Sequence, residues 1–234
     1  MTLTLALRTA LSGLSATQTA LQTTSQNITN VNTEGYSRKD VTFTTRTVNG
    51  TGAGVNVATV DRVVDEFLIK EIRDQQAIIG NLEVREEFLS QIESLFSSPE
   101  NDRSLTNALS TVRDTLEAFA TTPESNASAF NAVNELRKAV LEVQDLTDSV
   151  QNLRLRADQE ISRAATDIQT QLNIISDLNT RVSRAENLNQ PSGEERDERD
   201  RAINKLAEQM DLRIIEDSNS LLTLLTLSLI HISR

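Results

Sequence analysis

Eight consecutive residues, Glu194, Glu195, Arg196, Asp197, Glu198, Arg199, Asp200 and Arg201, form the one charge run in this chain dense enough to suggest chemistry. Carboxylates at that density could hold a divalent cation or divide acid and base roles between them. The interleaved arginines oppose both uses, because each neutralises a neighbour, and the Gly-centred spacing of a calcium loop is absent. The run therefore reads as the solvated start of a helix with local ion pairs. His231, the single histidine, sits in no H-E-x-x-H pattern and has no Ser-plus-acid partner, so it supports neither a zinc site nor a triad. There is no cysteine, which removes thiolate ligands, disulfides and a thiol nucleophile. Gly50, Gly52 and Gly54 lead into an alternating segment and not a helix, so they read as a hairpin turn, not a phosphate loop. No catalytic residue, cofactor site or metal site is assigned, and the chain does not read as an enzyme.

Composition narrows the classes further. With 23 basic against 34 acidic residues the net charge is −11, and no basic face is available to neutralise phosphates, so nucleic acid is not an expected partner. Aromatic residues are 3% of the chain and Trp is absent, so Ala, Leu, Ile and Val must do the packing. Between Val55 and Gln190 the only glycine is Gly80, which points to long uninterrupted helices.

The elements follow from periodicity. Leu3, Leu7, Ala10, Leu14, Thr17, Leu21, Thr24 and Ile28 alternate spacings of four and three, the a/d pattern of a helix that packs along another helix. Two Thr and one Ala weaken this seam, so the helix needs a partner to be stable. Residues 1–38 comprise this coiled-coil helix and the Asn- and Gly-containing turn that ends it. In residues 39–60, Val41, Phe43, Thr45 and Thr47 and then Val55, Val57 and Thr59 alternate with polar positions around the three glycines, as in a β-hairpin. Residues 61–217 read as a bundle of long helices. One carries Leu68, Ile72, Ile79, Leu82, Leu89, Ile92 and Phe96; a second runs from near Ser104 to before Pro123 with Leu105, Leu109, Val112, Leu116 and Phe119. A third, over about 60 residues, has a seam of Val133, Leu136, Val140, Val143, Val150, Ala157, Ile161, Ala164, Ile168, Ile175 and Val182. Stripes of this kind must be covered, and an antiparallel bundle is the simplest arrangement, so the fold class is mainly α, a long helical bundle or coiled coil with one small β-hairpin.

Residues 218–234 break the pattern. LLTLLTLSLIHISR holds eight Leu or Ile in the twelve residues up to Ile232, too short for a bilayer span of about 20 residues, and no membrane association is expected. This tail is expected to be foreign to the native fold, an exposed apolar segment that covers nothing. The first residues lack the basic region, apolar run and small-residue cleavage site of a secretory leader.

The stretch ALSGLSATQTALQTTSQNITNVNTEGYSR resembles the N-terminal signature of the bacterial flagellar rod, hook and hook-associated proteins. The motif positions are Asn27, Asn30, Asn32, Thr33, Gly35 and Tyr36, and the TTSQNI lead-in with Ser37 and Arg38 resembles the hook-associated members. Glu34 departs from the family's usual Pro but leaves Gly35 free for positive φ. Beyond the turn, Val60, Arg62, Asp65, Phe67 and Leu68 resemble the family's next helix start. Leu178, Asn179, Arg199, Asp200, Leu206 and Leu212 resemble a later passage in which a helix, a loop, an Arg-Asp pair and a short helix follow one another.

The resemblance implies a structural subunit at the hook-filament junction, an assembly seam of Leu3, Leu7, Leu14, Leu21 and Ile28 that orders on assembly, and export through the flagellar channel to an extracellular location. It implies further copies of the chain in a helical tube, the hook protein, a second junction protein, the export apparatus and a dedicated chaperone as partners. It also implies an outer β-rich domain and a C-terminal half beyond the present residues. Another flagellar axial protein (a hook or rod paralogue, or the second junction protein) and a generic coiled-coil adaptor are the alternatives.

Overall fold

Thr and Ser compete with helix backbone when their hydroxyls seek partners, yet a stretch rich in both forms the first helix, α1, Leu3–Thr29. The hydroxyls of Thr9, Thr17, Thr19 and Thr29 donate back to the carbonyls of Leu5, Gly13, Ser15 and Ser25 at 2.8–3.2 Å, so the competition is resolved inside the helix. In this computed structural model, residues 3–48, 50–96, 104–188, 190–217, 220–226 and 231–233 are described. They fall into two units, one formed by residues 1–80 and 167–234, the other by residues 81–166.

In the first unit α1 is followed by an antiparallel hairpin of β1, Lys39–Val48, and β2, Thr51–Arg62, two residues longer than the sequence indicates. Register shifts between Thr42 and Phe43 and between Thr45 and Thr47 mark irregularities in the ladder. Helix α2, Glu66–Phe96, starts where Asp65 accepts the Leu68 N–H at 3.0 Å, an N-cap. Its first half belongs to this unit, as does the end of the 62-residue α4, Asn126–Asn187. Then come α5, Gly193–Ala207, and an antiparallel sheet of β3, Leu212–Glu216, β4, Leu222–Thr226, and β5, His231–Ser233, with β4 in the middle.

The core of this unit joins α4, α5 and β4. Ile175, Ala202, Ile203, Leu206, Leu222 and Leu224 are buried together, with Ile168, Leu172, Ile174, Leu212 and Ile214 against them. Two expectations are corrected here. Leu212 begins a strand and does not continue a helix, so the bundle assigned to 61–217 closes on a β element. The apolar segment after residue 220 does not stand free, because Leu222 and Leu224 fill the core, each contributing roughly 1.5–3 kcal/mol when covered. Residues 227–230 and 234, and the side chain of His231, lie outside the described residues.

The second unit comprises the rest of α2, helix α3, Leu105–Thr121, and the first two thirds of α4. Ser104 caps α3 by accepting the Asn107 N–H at 3.1 Å. Val112, Ala132, Ala139 and Leu153 are buried, while Leu109, Leu116, Val133, Leu136, Val140, Val143, Val150 and Ile161 are 37–68% exposed. The seam expected to be covered along α4 is thus covered only toward its C-terminal end, at Ile175 and Val182; in α2 no described residue is buried. The physical reason is that, among the described residues, the large aliphatic side chains are left uncovered and small residues such as Ala132 and Ala139 occupy much of the inward line. Five helices, a hairpin and a three-stranded sheet among the described residues make the fold mainly α, as expected, with one more β element than expected. No helix among them is long and apolar enough to cross a membrane.

Candidate functional site: an outward seam and the joint behind it

Helix α1 carries two stripes in antiphase. Every position of the expected seam, Leu3, Leu7, Ala10, Leu14, Thr17, Leu21, Thr24 and Ile28, is exposed, and Leu7, Leu14, Leu21 and Ile28 remain 62–69% accessible. The other stripe, Leu5, Thr9, Ser12, Ala16, Ala20, Thr23 and Asn27, is wholly or partly buried. Ala16 and Thr23 are the most covered, and Ala53 of β2 is buried as well. The Val55 N–H donates to Ser12 Oγ at 3.2 Å, and a Cβ on Gly54, whose φ is +116°, would collide with that same Oγ. The helix therefore spends its small and polar face on the hairpin and keeps its apolar face in water, the reverse of the ordinary surface helix.

The turn after α1 is held by Asn27. Its Nδ2 donates to the Lys39 carbonyl at 2.8 Å, and its Oδ1 accepts both the Lys39 N–H and the Tyr36 hydroxyl at 2.9 Å. One amide side chain thus satisfies both backbone groups of the first residue of β1, as a neighbouring strand would. Asn30 Nδ2 donates to the Gln26 carbonyl at 3.0 Å and Asn30 Oδ1 accepts the Thr33 hydroxyl at 3.2 Å, while Asn32 lies exposed. Gly35 has φ +71°, a conformation glycine adopts without strain, and a Cβ there would lie 2.6 Å from Arg201 Cδ, so that side chain would have to shift. The Arg38 carbonyl accepts the Val63 N–H at 2.8 Å; its side chain is exposed. Lys39 Nζ lies 4.9 Å from the Tyr36 ring centroid and 3.6 Å from Glu194. Burial, and then the charges of Asp197 and Glu194, raise the pKa of Tyr36 above its ordinary value, so its hydroxyl is the donor to Asn27 at neutral pH.

The charge run opens α5, as expected of a helix start, and Glu194 and Glu198 are exposed, but Asp197, Arg199 and Asp200 turn inward to distant partners, which corrects the reading of the run as solvated with local pairs. Asp197 and Arg199 are 2% and 3% exposed. Asp197 meets Arg62 Nη1 at 3.0 Å and accepts the Ser37 N–H at 3.2 Å. Asp200 takes Arg62 Nη2 at 2.7 Å and Arg73 Nη2 at 2.9 Å, and Arg73 Nε reaches Asn204 at 2.7 Å. Arg62 forks across two carboxylates, so α5, the end of β2 and the start of α2 meet at one charged joint. Arg196 pairs with Glu186 and donates to Ser220 Oγ at 2.8 Å. Burial acts to raise the Glu186 pKa, but hydrogen bonds from Ser220, Arg196 and Ser192 and the Arg196 charge outweigh it and hold the group below its ordinary value.

Asn179 repeats the device of Asn27. Its Nδ2 donates to the Leu222 carbonyl at 2.8 Å, its Oδ1 accepts the Leu222 N–H at 3.2 Å, and Arg199 Nη1 completes it at 3.0 Å. Leu222 is the first residue of β4, as Lys39 is of β1. Leu178 and Leu206 are buried, Leu206 in the core. Sequence reading missed Arg73, Glu186 and Asn204 as members of the joint, since nothing in their local spacing announces a distant partner. Chemically the assembly is a clamp: Asp197, Asp200 and Glu186 each face an arginine.

Comparison with known proteins places the chain in a family. Residues 89–228, more than half of the chain, match the family model described as flagellar hook-associated protein FlgK helical domain, and residues 7–36 match that described as flagella basal body rod protein. The chain is similar to the flagellar hook-associated protein 1 of Bacillus subtilis, 28% identical over 221 residues that cover 89% of the chain and 43% of the relative. It is similar to the proteins of that name from Salmonella typhimurium and Escherichia coli, 28% and 26% identical over 182 residues, covering 75% of the chain and 32% of each relative. The chain thus spans less than half the length of these curated relatives.

Proposed function

Since the chain belongs to the family of the flagellar hook-associated protein helical domain, we propose that it is a structural subunit of the bacterial flagellum at the junction of hook and filament. It acts by assembly and not by catalysis. The observation that carries this reading is the inverted helix α1: its polar stripe is used against the hairpin, and Leu3, Leu7, Leu14, Leu21 and Ile28 are left as an assembly seam. Other copies of the chain in a helical tube would cover that seam, with the hook protein and a second junction protein at the two ends. The Asn27, Asn30, Asn32, Thr33, Gly35, Tyr36, Ser37 and Arg38 turn fixes the angle at which α1 leaves the clamp. Export through the flagellar channel, with the export apparatus and a dedicated chaperone as transient partners, and an extracellular location belong to the same proposal. No observation favours the coiled-coil adaptor.

The test is Leu14→Asp together with Leu21→Asp in the full-length protein. A charge buried without a partner is strongly unfavourable, so assembly at the hook tip should fail while the helical circular dichroism of the purified subunit stays unchanged. Filaments of normal length on cells carrying both substitutions would sink the proposal.

A further inference from the structure

We propose that the groove beside the free edge of β3 takes an extended peptide segment, which adds to β3 as a further strand and sets a carboxylate against Arg199. The inference goes beyond the junction role and does not rest on it. β3 ends its sheet, so one of its edges is paired with β4 and the other is open among the described residues. The hairpin's phase determines which groups face outward. The Asp217 N–H donates to the Leu221 carbonyl at 3.0 Å, and bonded and non-bonded pairs alternate along an antiparallel ladder. The bonded pairs are therefore Ile215 with Thr223 and Arg213 with Leu225. That leaves the N–H and C=O groups of Leu212, Ile214 and Glu216 directed away from β4.

These residues line a groove of 720 Å³ together with Glu66 and Lys70 of α2 and with Arg199. A row of free backbone donors and acceptors is matched by another extended backbone. Charge narrows the segment further. Arg199 is buried, its Nη1 goes to the neutral oxygens of Asn179 and Ser220, and its Nε has no partner. No carboxylate lies within 4 Å of it among the described residues, and the nearby Asp200 and Glu216 already face Arg62, Arg73 and Arg196. A buried guanidinium with an unpartnered Nε, whose nearest carboxylates Asp200 and Glu216 are shared with other arginines, favours a segment carrying Asp or Glu.

The test titrates the 234-residue chain with a dye-labelled peptide, Thr-Val-Asp-Val-Thr-Val, and with its Asn form, while backbone amide exchange is followed. Saturable binding should slow exchange at Leu212, Ile214 and Glu216 and leave Arg213 and Ile215 as they were. The Asn peptide should bind about tenfold more weakly, the usual order for losing a charged hydrogen bond. Glu216→Pro removes an outward donor without touching the β4 pairing and should weaken binding at an unchanged melting temperature. If that variant melts early, the exchange pattern of the unsubstituted chain decides. No slowing at the three amides at the highest peptide concentration, or equal affinity for both peptides, overturns the proposal. So does a dimer in which the three amides are protected before peptide is added, since the edge would then belong to a second copy.

Discussion

Asp197 and Arg199 of the first unit lie inside, each held by groups from other elements, whereas Leu136, Val140 and Ile161 of the second unit stand exposed, uncovered among the described residues. The first unit is closed by its own residues: a core from α4, α5 and β4, and a charged joint that ties α5 to β2 and α2. The second has a thin inward line of Val112, Ala132, Ala139 and Leu153 and little else. Stability gained from the chain itself is therefore concentrated in the first unit, and substitutions should be felt there out of proportion to how polar its sequence looks. Tyr36, the only tyrosine in a chain without tryptophan, lies in the first unit and reports on it alone by fluorescence, while circular dichroism follows the helices of both.

The largest effect should come from ending the chain after Ser220. This removes Leu222 and Leu224 from the core and Leu222 from Asn179, a loss on the order of 3–6 kcal/mol for two buried leucines. The Tyr36 transition should move down by about 10 °C or more at the usual scaling for chains of this size. A truncated chain that melts at the original temperature would show that the apolar segment covers nothing after all, and the comparison between the units would lose half its basis.

Next is a contrast of matched substitutions. Arg62→Ala leaves Asp197 buried without its cation and should cost roughly 3–5 kcal/mol, and Leu206→Ala about 2–5 kcal/mol, each measured by urea unfolding at Tyr36. Leu136→Ala, half exposed in the second unit, should stay within about 0.5 kcal/mol by circular dichroism. Equal costs at Leu136 and Leu206 would erase the distinction.

A smaller cost, roughly 1–3 kcal/mol, is expected from Gly80→Ala, because the added methyl would strike the Glu208 carbonyl and force α2 away from the end of α5. Gly13→Ala, with open space around the glycine, should be neutral or slightly stabilising and serves as its control. The same shift in both would mean that helix propensity, not the close approach, sets the result.

The smallest effect is the acid limb at Glu186. Its folded pKa lies below the ordinary carboxylate value, so the folded state binds its proton more weakly than the unfolded chain does. The stabilisation is full above the unfolded value and is lost as pH falls through the folded one. Glu186→Gln should accordingly lower the Tyr36 melting temperature at pH 7 and narrow that gap toward pH 3. A pH-independent difference between the two proteins would remove Glu186 from the joint.

The helices were legible because their signals are local. Asp65 and Ser104 cap α2 and α3 where the sequence suggests a start, and the absence of glycine and proline lets α4 run on. The polarity of α1 was legible in part: the 3–4 seam could be read, but not that the opposite stripe already had the hairpin to pack on. The charge run misled, because the neighbours that neutralise it in space, Arg62 and Arg73, lie more than 120 residues away in sequence. The segment after residue 220 misled for a related reason. A run of leucines without alternation has no visible periodicity, and its burial depends on Asn179 and α5 having formed the surface beneath it.

Arg73 and Gly80 stand seven residues apart on α2, almost two full turns, and so look the same way. One reaches Asp200 and Asn204, and the other makes room for Glu208, all on α5 or just past its end. Such a double attachment makes length itself a constraint on this stretch. Inserting one residue between positions 73 and 80 would turn the second attachment by about 100° around the axis. Inserting seven would restore its direction but carry it about 10.5 Å further along. Side chains can be exchanged along this part of α2, but the spacing between its two fixings cannot be edited without releasing one of them.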